Sequence, residues 1–257
     1  MKFALHVRSG RDEIAEFARR LEDQIVSSGG TVADQSAVPD MVLAVGGDGT
    51  MLTAAKAAIA DDVPVLGFNL GTLGFLTEAE PDDLANVIDR LVGGDYEIME
   101  RLTISAMINN ASESGVNDVV VEKIDSTRLV NLEVDVDGVG FATYRADGLI
   151  VATPTGSTAY SFSAGGPVVD PGVDALVLTP VAAHSLFDRP IVLPADSEIN
   201  ITVRRDRPVR VNVDKTVLGL IGEGDVVRIR RGPRPARFVT FGRGTFPGLV
   251  RDKFGLE

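Results

Sequence analysis

The chain of 257 residues contains no cysteine and only two histidines. Disulfide bonds, thiolate zinc sites and a cysteine nucleophile are therefore excluded. His6 and His184 stand far apart in the sequence without a third partner for a metal, so structural roles are favoured for both. Any metal must then be held by oxygen or imidazole ligands, and Mg²⁺ is the natural candidate.

Positive charge is also scarce in the sequence. Arginine and lysine total 25 against 37 acidic residues, which gives a net charge of −12, and only five of the basic residues are lysine. Because phosphate backbones bind basic surfaces, we expect no nucleic-acid partner. An acidic, lysine-poor surface fits a halophilic host, in which salt screens the repulsion between carboxylates, and it fits equally an acidic protein from a GC-rich genome.

No apolar run approaches the roughly 18 to 20 residues that a membrane-spanning helix needs. Residues 1–6 lead directly into a strand-like segment and lack the pattern of a cleaved signal peptide. With 44% hydrophobic residues, the chain has enough apolar material for real cores. We therefore expect a globular, cytoplasmic protein with no membrane partner.

The first hundred residues show strand and helix patterns in alternation. Apolar runs of strand length occupy residues 2–7, 41–45 and 63–69. Helical spacing of apolar residues, or a high alanine content, predicts helices over residues 12–28, 51–60 and 82–92. This alternation predicts an α/β domain with a doubly wound parallel sheet, whose ligands bind at the carboxyl ends of the strands.

From about Tyr96 the pattern changes to short alternating segments separated by turn residues, which is typical of antiparallel β structure. Asp137-Gly138 lies between two such segments and predicts a hairpin turn. We expect an α/β domain at residues 1–97 and a mainly antiparallel β domain at residues 98–234. A tail at residues 235–257 could return to the first domain.

The sharpest local signal is Gly46-Gly47-Asp48-Gly49-Thr50, which lies between a predicted strand and a predicted helix. Its glycines permit a tight turn, and the N–H groups that open the helix offer a site for phosphate. Asp48 would repel a phosphate unless it holds a metal or takes a proton from an attacking hydroxyl, as phosphoryl transfer requires. The alternative is that Asp48 only caps the helix. The phosphate-loop lysine motif and the spaced-glycine dinucleotide fingerprint are both missing.

A second dense segment, from Ala146 to Ser161, carries an apolar strand followed by small hydroxyl residues, a proline and a glycine. This composition suits a rigid loop that presents backbone groups and hydroxyls to a polar ligand. Hydroxyl residues in turns usually bond their own backbone, however, and Asn117-Asp118 could be either a turn or a pair aimed at ribose hydroxyls. Composition alone favours the structural alternative for both segments.

Five segments stand in a fixed order along the chain: residues 46–52, 69–77, 117–118, 146–167 and 179–190. In order and spacing they resemble the successive signature blocks of NAD kinases. The first block is shared with lipid kinases and, more loosely, with phosphofructokinases, whereas the block from Asp147 to Gly166 is much more specific. The resemblance covers most of the chain from residue 41 to about residue 231.

The resemblance implies transfer of the γ-phosphoryl group of ATP, or of another phosphoryl donor, to the 2′-hydroxyl of the adenosine ribose of NAD, which forms NADP. Asp48 would be the general base, Mg²⁺ would bridge the phosphates, and the residues that shape the phosphate site would be Gly47, Gly49 and Thr50. The other positions that match NAD-binding residues of the family are Phe75, Asn117, Asp118, Arg128, Arg145, Asp147, Thr158, Ala159, Tyr160, Ser161, Phe162 and Ser163. In family members, the residues that match Arg145 and Asp147 often contact NAD bound to a neighbouring subunit. The resemblance therefore implies a homodimer or homotetramer.

Two positions depart from the family pattern. Thr53 stands where many bacterial members carry an arginine, and Asp214-Lys215-Thr216 stands where many have Asp-Gly followed by a polar residue. The remaining alternatives are another kinase with the same glycine-rich motif, acting on a lipid, and a non-catalytic NAD(P)-binding sensor. The lipid kinase would want a membrane-facing surface, and the chain shows no basic amphipathic helix. The sensor would have no need for Asp48.

Overall fold

The computed structural model describes residues 1–34, 37–71, 74–205, 207–242 and 244–256. The chain divides into two compact units: Met1–Glu100 with Ala236–Glu257, and Arg101–Pro235. Thr72 and Leu73, which belong to the second segment of the family resemblance, lie outside the described residues. Among the helices that the structure describes, none has the length and apolar character needed to cross a membrane.

Strands and helices alternate up to residue 101: β1 (Lys2–Val7), α1 (Asp12–Ser27), β2 (Thr31–Val32), β3 (Met41–Gly46), α2 (Asp48–Asp61), β4 (Val65–Asn69), α3 (Leu84–Gly93) and β5 (Glu97–Arg101). Strands dominate afterwards: β6 (Ile104–Ile108), β7 (Ala111–Gly115), β8 (Asp118–Lys123), β9 (Val130–Val136), β10 (Val139–Ala146), β11 (Gly148–Ala152), α4 (Tyr160–Ser163), β12 (Ala175–Val181), β13 (Ile191–Pro194), β14 (Ile199–Arg204), β15 (Val209–Val213), β16 (Thr216–Ile221), β17 (Val226–Arg231), β18 (Ala236–Thr240) and α5 (Phe246–Phe254). Short 3-10 turns at Pro81–Asp83 and Thr155–Thr158 precede α3 and α4.

The first unit is built on a sheet with the strand order β2-β1-β3-β4-β18-β5. Strands β1, β3 and β4 pair in parallel, because a helical crossover returns the chain to the start of the sheet between successive strands. The apolar face of α1 is buried through Ile14, Phe17, Ala18, Leu21 and Ile25, as the helical spacing of these residues predicts. The predicted α/β fold with a parallel sheet is confirmed.

The register of β3 and β4 brings two glycine-containing loops side by side. Gly46, the last residue of β3, pairs with Asn69, the last residue of β4. The glycine-rich turn and the segment that follows Asn69 therefore start from adjacent strand ends. They lie at the carboxyl edge of the sheet, where open α/β sheets bind their ligands.

The second unit contains antiparallel sheets with the strand orders β10-β9-β14-β17-β6-β7 and β13-β12-β11-β8-β15-β16. Both sheets contribute alternate side chains to one apolar core, for example Ile201 from β14 and Val151 from β11. The predicted antiparallel β structure is confirmed. Asp137 and Gly138 adopt φ values of 53° and 80° and join β9 to β10, so the predicted hairpin is also confirmed.

Several boundaries differ from the sequence prediction. Helix α2 begins at Asp48 rather than at residue 51, so the second half of the glycine-rich motif is helical. The sequence pattern also does not predict β7, β13 and β16. Their residues are partly exposed and give weak alternation, and their strand conformation comes from pairing with β6, β12 and β15.

We expect Tyr144→Phe to unfold at the same or a higher denaturant concentration than the wild type. Tyr144 is 1% exposed, and its hydroxyl has no hydrogen-bond partner among the described residues. Loss of this buried hydroxyl removes a desolvation cost of about 1–3 kcal/mol. Tyr144→Ala should instead lose about 3–5 kcal/mol, because it opens a cavity. Urea titrations of both variants measure the difference, and marked destabilisation of Tyr144→Phe would show that the hydroxyl is bonded.

Candidate active site

Asp48 is the first residue of α2, and Gly47 before it is the N-cap. Gly46 adopts a φ of 153°, and a Cβ at this position would overlap the Thr50 hydroxyl, so the turn requires glycine here. The backbone N–H groups of Thr50 and Met51 donate to the Gly47 carbonyl oxygen at 2.9 and 3.1 Å. Since Gly47 occupies the cap position, the interpretation of Asp48 as a helix cap is wrong.

The Asp48 carboxylate accepts hydrogen bonds from the segment that follows β4. Phe75 N–H donates to Oδ2 at 3.1 Å, and Leu76 N–H donates to Oδ1 at 3.3 Å. Gly74 approaches so closely that a Cβ there would overlap Oδ1. Each oxygen still has lone-pair capacity for a proton or a cation. The carboxylate is therefore fixed at the first turn of α2, whose backbone N–H groups and dipole attract anions.

Phe75 is half-buried and contacts α5. Lys253 Nζ lies 5.6 Å from the centroid of the Phe75 ring, and the Phe254 ring centroid lies 6.1 Å from it. Sequence reasoning missed this contact, because nothing in the sequence of α5 indicates that it packs against residue 75. The first unit thus brings together the predicted site residues Gly47, Asp48, Gly49, Thr50 and Phe75.

In the second unit, Asn117 and Asp118 belong to the turn that leads into β8, here called the 116–118 turn (Val116–Asp118). The Asp214 carboxylate accepts hydrogen bonds from all three of its N–H groups, at 2.9, 2.8 and 3.2 Å in chain order. Thr153 N–H donates to the Asn117 carbonyl oxygen at 2.8 Å, and the Thr153 hydroxyl donates to the Val116 carbonyl oxygen at 2.6 Å. The pair therefore does form a turn, which two other segments hold in place.

Asp118 is buried, and the carboxyl group of the half-buried Asp214 acts on it. Burial, and then the charge of Asp214, raise the pKa of Asp118 to about 7. Burial also raises the pKa of Asp214, although its three backbone hydrogen bonds act in the opposite direction and Glu113 adds a smaller increase. Asp118 therefore changes its charge in the physiological pH range, which is frequent for residues in functional sites.

The predicted binding segment Thr158–Ser163 covers the end of a 3-10 turn and α4. Ser161 is fully buried, and its hydroxyl shares a 2.9 Å hydrogen bond with Thr179. Tyr160 and Phe162 are exposed. The other members are half-buried or exposed: Thr158, Ala159 and Ser163. The aromatic side chains are therefore available to a ligand, whereas the Ser161 hydroxyl links the segment to Thr179 on β12.

This segment is connected to the 116–118 turn. Gly156 lies so close to the turn that a Cβ would overlap one of its carbonyl oxygens. The phenol of Tyr160 has a raised pKa, first because of burial and then because of the charges of Glu122, Asp147 and Asp118. Three carboxyl groups thus lie within electrostatic range of this phenol.

The remaining predicted residues lie along the same unit. Asp147 joins β10 to β11 and forms a salt bridge with Lys123 at 2.5 Å. Arg145 is exposed near the end of β10, and its backbone N–H donates to Ser185 Oγ at 3.1 Å. Arg128 is exposed in the connection between β8 and β9, at the opposite end of β8 from the 116–118 turn. The structure therefore does not bring Arg128 together with that turn.

Sequence reasoning missed Asp214, Thr153 and Gly74 as parts of these arrangements. Asp214 was visible only as the first residue of a segment that departs from the family pattern at Lys215, and Thr153 as one of several hydroxyl residues in a dense segment. Asp214 and Thr153 bond to backbone groups that are distant in the sequence, and Gly74 leaves room for the distant side chain of Asp48. Such contacts can be predicted only when the pairing of the strands is known.

Two family models match the chain: the ATP-NAD kinase N-terminal domain over residues 11–96, and the ATP-NAD kinase C-terminal domain over residues 116–241. The NAD kinase of Moorella thermoacetica is 41% identical over 229 residues, which cover 87% of this chain and 74% of the relative. The NAD kinase of Heliobacterium modesticaldum is 40% identical over 243 residues, which cover 91% of this chain and 85% of the relative.

Two solved structures share the fold. A yeast NADH kinase complexed with NADH superposes with a TM-score of 0.90 at 23% identity and covers 100% of this chain and 88% of its own. An NAD kinase from Archaeoglobus fulgidus in complex with ATP superposes with a TM-score of 0.80 at 25% identity. The superposition covers 99% of this chain and 98% of the Archaeoglobus chain. Since the two domain models also match most of the chain, and relatives are about 40% identical over more than four fifths of it, the chain belongs to the NAD kinase family of phosphotransferases.

Proposed function

We propose that this member of the NAD kinase family transfers the γ-phosphoryl group of ATP to the adenosine ribose 2′-hydroxyl of NAD, with Asp48 as the general base. The observation that carries this proposal is the Asp48 carboxylate, held by two backbone N–H groups at the start of α2. Asp48 takes the hydroxyl proton as the ribose oxygen bonds to the γ-phosphorus. The bond from that phosphorus to the β–γ bridging oxygen breaks, and ADP leaves.

The fixed position of Asp48 suits it to this role. The N–H groups of Phe75 and Leu76 hold the carboxylate in one orientation, and a general base needs such a fixed position. The first turn of α2 supplies the complementary element, because its N–H groups favour phosphate oxygens. The complex of the Archaeoglobus fulgidus NAD kinase with ATP supports ATP as the donor.

Mg²⁺ is part of the proposal as an ion that accompanies the triphosphate. Magnesium ordinarily keeps several waters and binds through one or two carboxylates plus substrate phosphates. Across the ranges that the structure describes, no cluster of three or more metal-binding side chains occurs, whereas Asp48 retains lone-pair capacity on both oxygens. These residues fit an ion that one carboxylate holds and that neutralises charge on the phosphates when bound.

The second unit would hold the dinucleotide. Asn117 and Asp118 would bond to it from the 116–118 turn, and the exposed Tyr160 and Phe162 would pack against its adenosine. Buried Ser161 would anchor that segment to β12 through Thr179. Direct contacts are also proposed for Thr158, Ala159, Ser163, Arg145 and Asp147. No direct contact is proposed for Arg128, which lies at the opposite end of β8 from the 116–118 turn.

We expect Asp48→Asn to lower NADP formation by about 10² to 10⁴, because the amide cannot accept the proton. NAD affinity should change by less than about threefold, since the residues proposed to hold the dinucleotide, apart from Phe75, belong to the second unit. NADP formation with ATP and Mg²⁺, measured with an NADP-specific dehydrogenase, gives the rate. Calorimetric titration with NAD gives the affinity, and turnover within a few-fold of wild type would end the catalytic assignment.

The position of the carboxylate can be tested without removing it. Gly74→Ala places a methyl group where Oδ1 of Asp48 lies, so the carboxylate must move away from its N–H donors. We expect turnover to fall by about 10- to 100-fold, because small displacements of a reacting group are costly. Gly71→Ala is the matched control, since a Cβ there meets nothing within 4 Å. Equal turnover of the two variants would show that the position of Asp48 does not limit the reaction.

The alternatives are less well supported. Membership of the NAD kinase family argues against a lipid kinase, and Asp48 in its fixed position is not needed by a binding sensor. The cytoplasmic location and the halophilic host stay predictions.

We also propose that the chain forms a homodimer or homotetramer through β10. This strand is the first in its sheet order and carries Arg145. Exposed apolar side chains form a patch beside it, here called the β10 patch: Val139, Phe141, Leu186 and Phe187. Phe141 and Phe187 contact each other edge to face, with ring centroids 5.9 Å apart. Apolar surface of this kind beside a strand that ends its sheet is typical of subunit contacts.

We expect the wild-type protein to be oligomeric in light scattering and Leu186→Asp to be largely monomeric, because the substitution places a charge in the β10 patch. Its KM for NAD should rise by about tenfold if Arg145 and Asp147 reach the neighbouring site. Leu220→Asp is the matched control, because Leu220 is also exposed but lies on β16 in the other sheet. A wild-type protein that is monomeric and fully active would contradict this proposal.

A further inference from the structure

Asp214 makes an unusual set of bonds for a residue in a hairpin turn. It lies between β15 and β16, where Val213 pairs with Thr216, and it adopts the left-handed φ of 49°. Its carboxylate accepts the N–H groups of Val116, Asn117 and Asp118. Its own N–H donates to the Asp118 carbonyl oxygen at 2.9 Å. One side chain thus fixes three successive residues that are almost a hundred positions away.

The space around Asp214 admits little adjustment. A Cβ at Gly115 would lie 2.8 Å from Asp214 Cγ, so the chain before the 116–118 turn packs directly against the carboxylate. On the carbonyl side, Thr153 bonds to Val116 and Asn117. Asp214 therefore holds the three N–H groups of the turn and the Asp118 carbonyl, and Thr153 holds the carbonyl groups of Val116 and Asn117. The N–H side depends on an ionised carboxylate, because protonation removes acceptor capacity.

We propose that Asp214 is a positioning residue for the dinucleotide: its ionised carboxylate holds the 116–118 turn in the conformation in which Asn117 and Asp118 bind NAD, and its charge sets the pH range of that binding. This inference rests on the proposed function, in which these two side chains contact NAD. Asp214 itself makes no contact with substrate in this proposal.

The charge effect follows from the groups around Asp118. Asp214 faces it from the β15–β16 turn and Tyr160 from α4, while Glu113 on β7 acts on Asp214. Burial and then the charge of Asp214 raise the pKa of Asp118 to about 7. An ionised Asp118 accepts hydrogen bonds from hydroxyl groups, so the KM for NAD should fall as the pH rises through about 7. Neutralisation of Asp214 removes one cause of the raised pKa and moves this midpoint to lower pH.

The test is a pH series of steady-state kinetics on Asp214→Asn. The amide keeps one acceptor oxygen but turns an NH₂ group towards the N–H donors, so the turn loosens. We expect the KM for NAD to rise about tenfold or more, with kcat within about threefold and the KM for ATP unchanged. The midpoint of the pH dependence should lie below that of the wild type.

Asp137→Asn is the matched control. Asp137 is also a hairpin aspartate with a positive φ, 53°, and its carboxylate accepts the Glu198 N–H at 2.8 Å, but it lies in the other sheet. It should lose similar hairpin stability in thermal melts without a change in the KM for NAD or in the pH midpoint. A second variant, Thr153→Val, loosens the 116–118 turn without changing charge. It should raise the KM for NAD and leave the midpoint unchanged.

The inference would be overturned if Asp214→Asn kept the wild-type KM for NAD and the wild-type midpoint of its pH dependence. A fall in kcat with an unchanged KM for NAD would also overturn it. If Asp214→Asn does not fold, Thr153→Val decides, and a wild-type KM in that variant would overturn the positioning role. The failure of the proposed function looks different. In that case the wild type itself forms no NADP, while calorimetric titration of the same variants with NAD still shows whether Asp214 controls dinucleotide binding.

Discussion

The carboxylate of Asp48 ties together two loops that leave adjacent strands, and much of the first unit is arranged to allow it. The parallel register of β3 and β4 brings Gly46 and Asn69 to the same edge of the sheet. Gly46 and Gly74 lack the side-chain atoms that would collide with the turn and with the carboxylate. Since α2 starts at Asp48, one residue both opens the helix and receives N–H groups from its neighbour loop. Loss of any of these features would displace the acid from the helix start.

The second unit uses the same kind of interaction for a different purpose. Asp214, like Asp48, accepts backbone N–H groups from a loop that is distant in the sequence. Three donors converge on Asp214 and two on Asp48, and both aspartates are half-buried. The first arrangement uses most of the acceptor capacity of the carboxylate, and the second leaves some for chemistry. The difference in remaining acceptor capacity suits Asp214 to the proposed positioning role and Asp48 to the proposed role of general base.

The parts of this structure that depend on local pattern were predictable from the sequence. The spacing of Ile14, Phe17, Leu21 and Ile25 predicts the buried face of α1, and Asp137-Gly138 predicts its hairpin, because both rules involve neighbouring residues only. The family and the fold class were recognisable for the same reason, since the glycine-rich motif and each block after it consist of residues that are neighbours in the sequence. Strands such as β7 and β16 were not predictable from the sequence, because their conformation comes from pairing with neighbouring strands. The bonds of Asp214 and Gly74 depend on contacts between distant segments, which no local pattern contains.

The place of β18 in the sheet has a consequence for how the protein is made. In the strand order β4-β18-β5, a strand from residues 236–240 separates two strands that the ribosome completes more than 130 residues earlier. Until β18 arrives, the facing edges of β4 and β5 present unpaired backbone groups, a situation that promotes association between unfinished chains. The first unit to be synthesised is thus the last to be completed, and its folding must wait for the whole antiparallel unit to leave the ribosome. A fragment that ends near residue 100 would keep that gap in its sheet permanently.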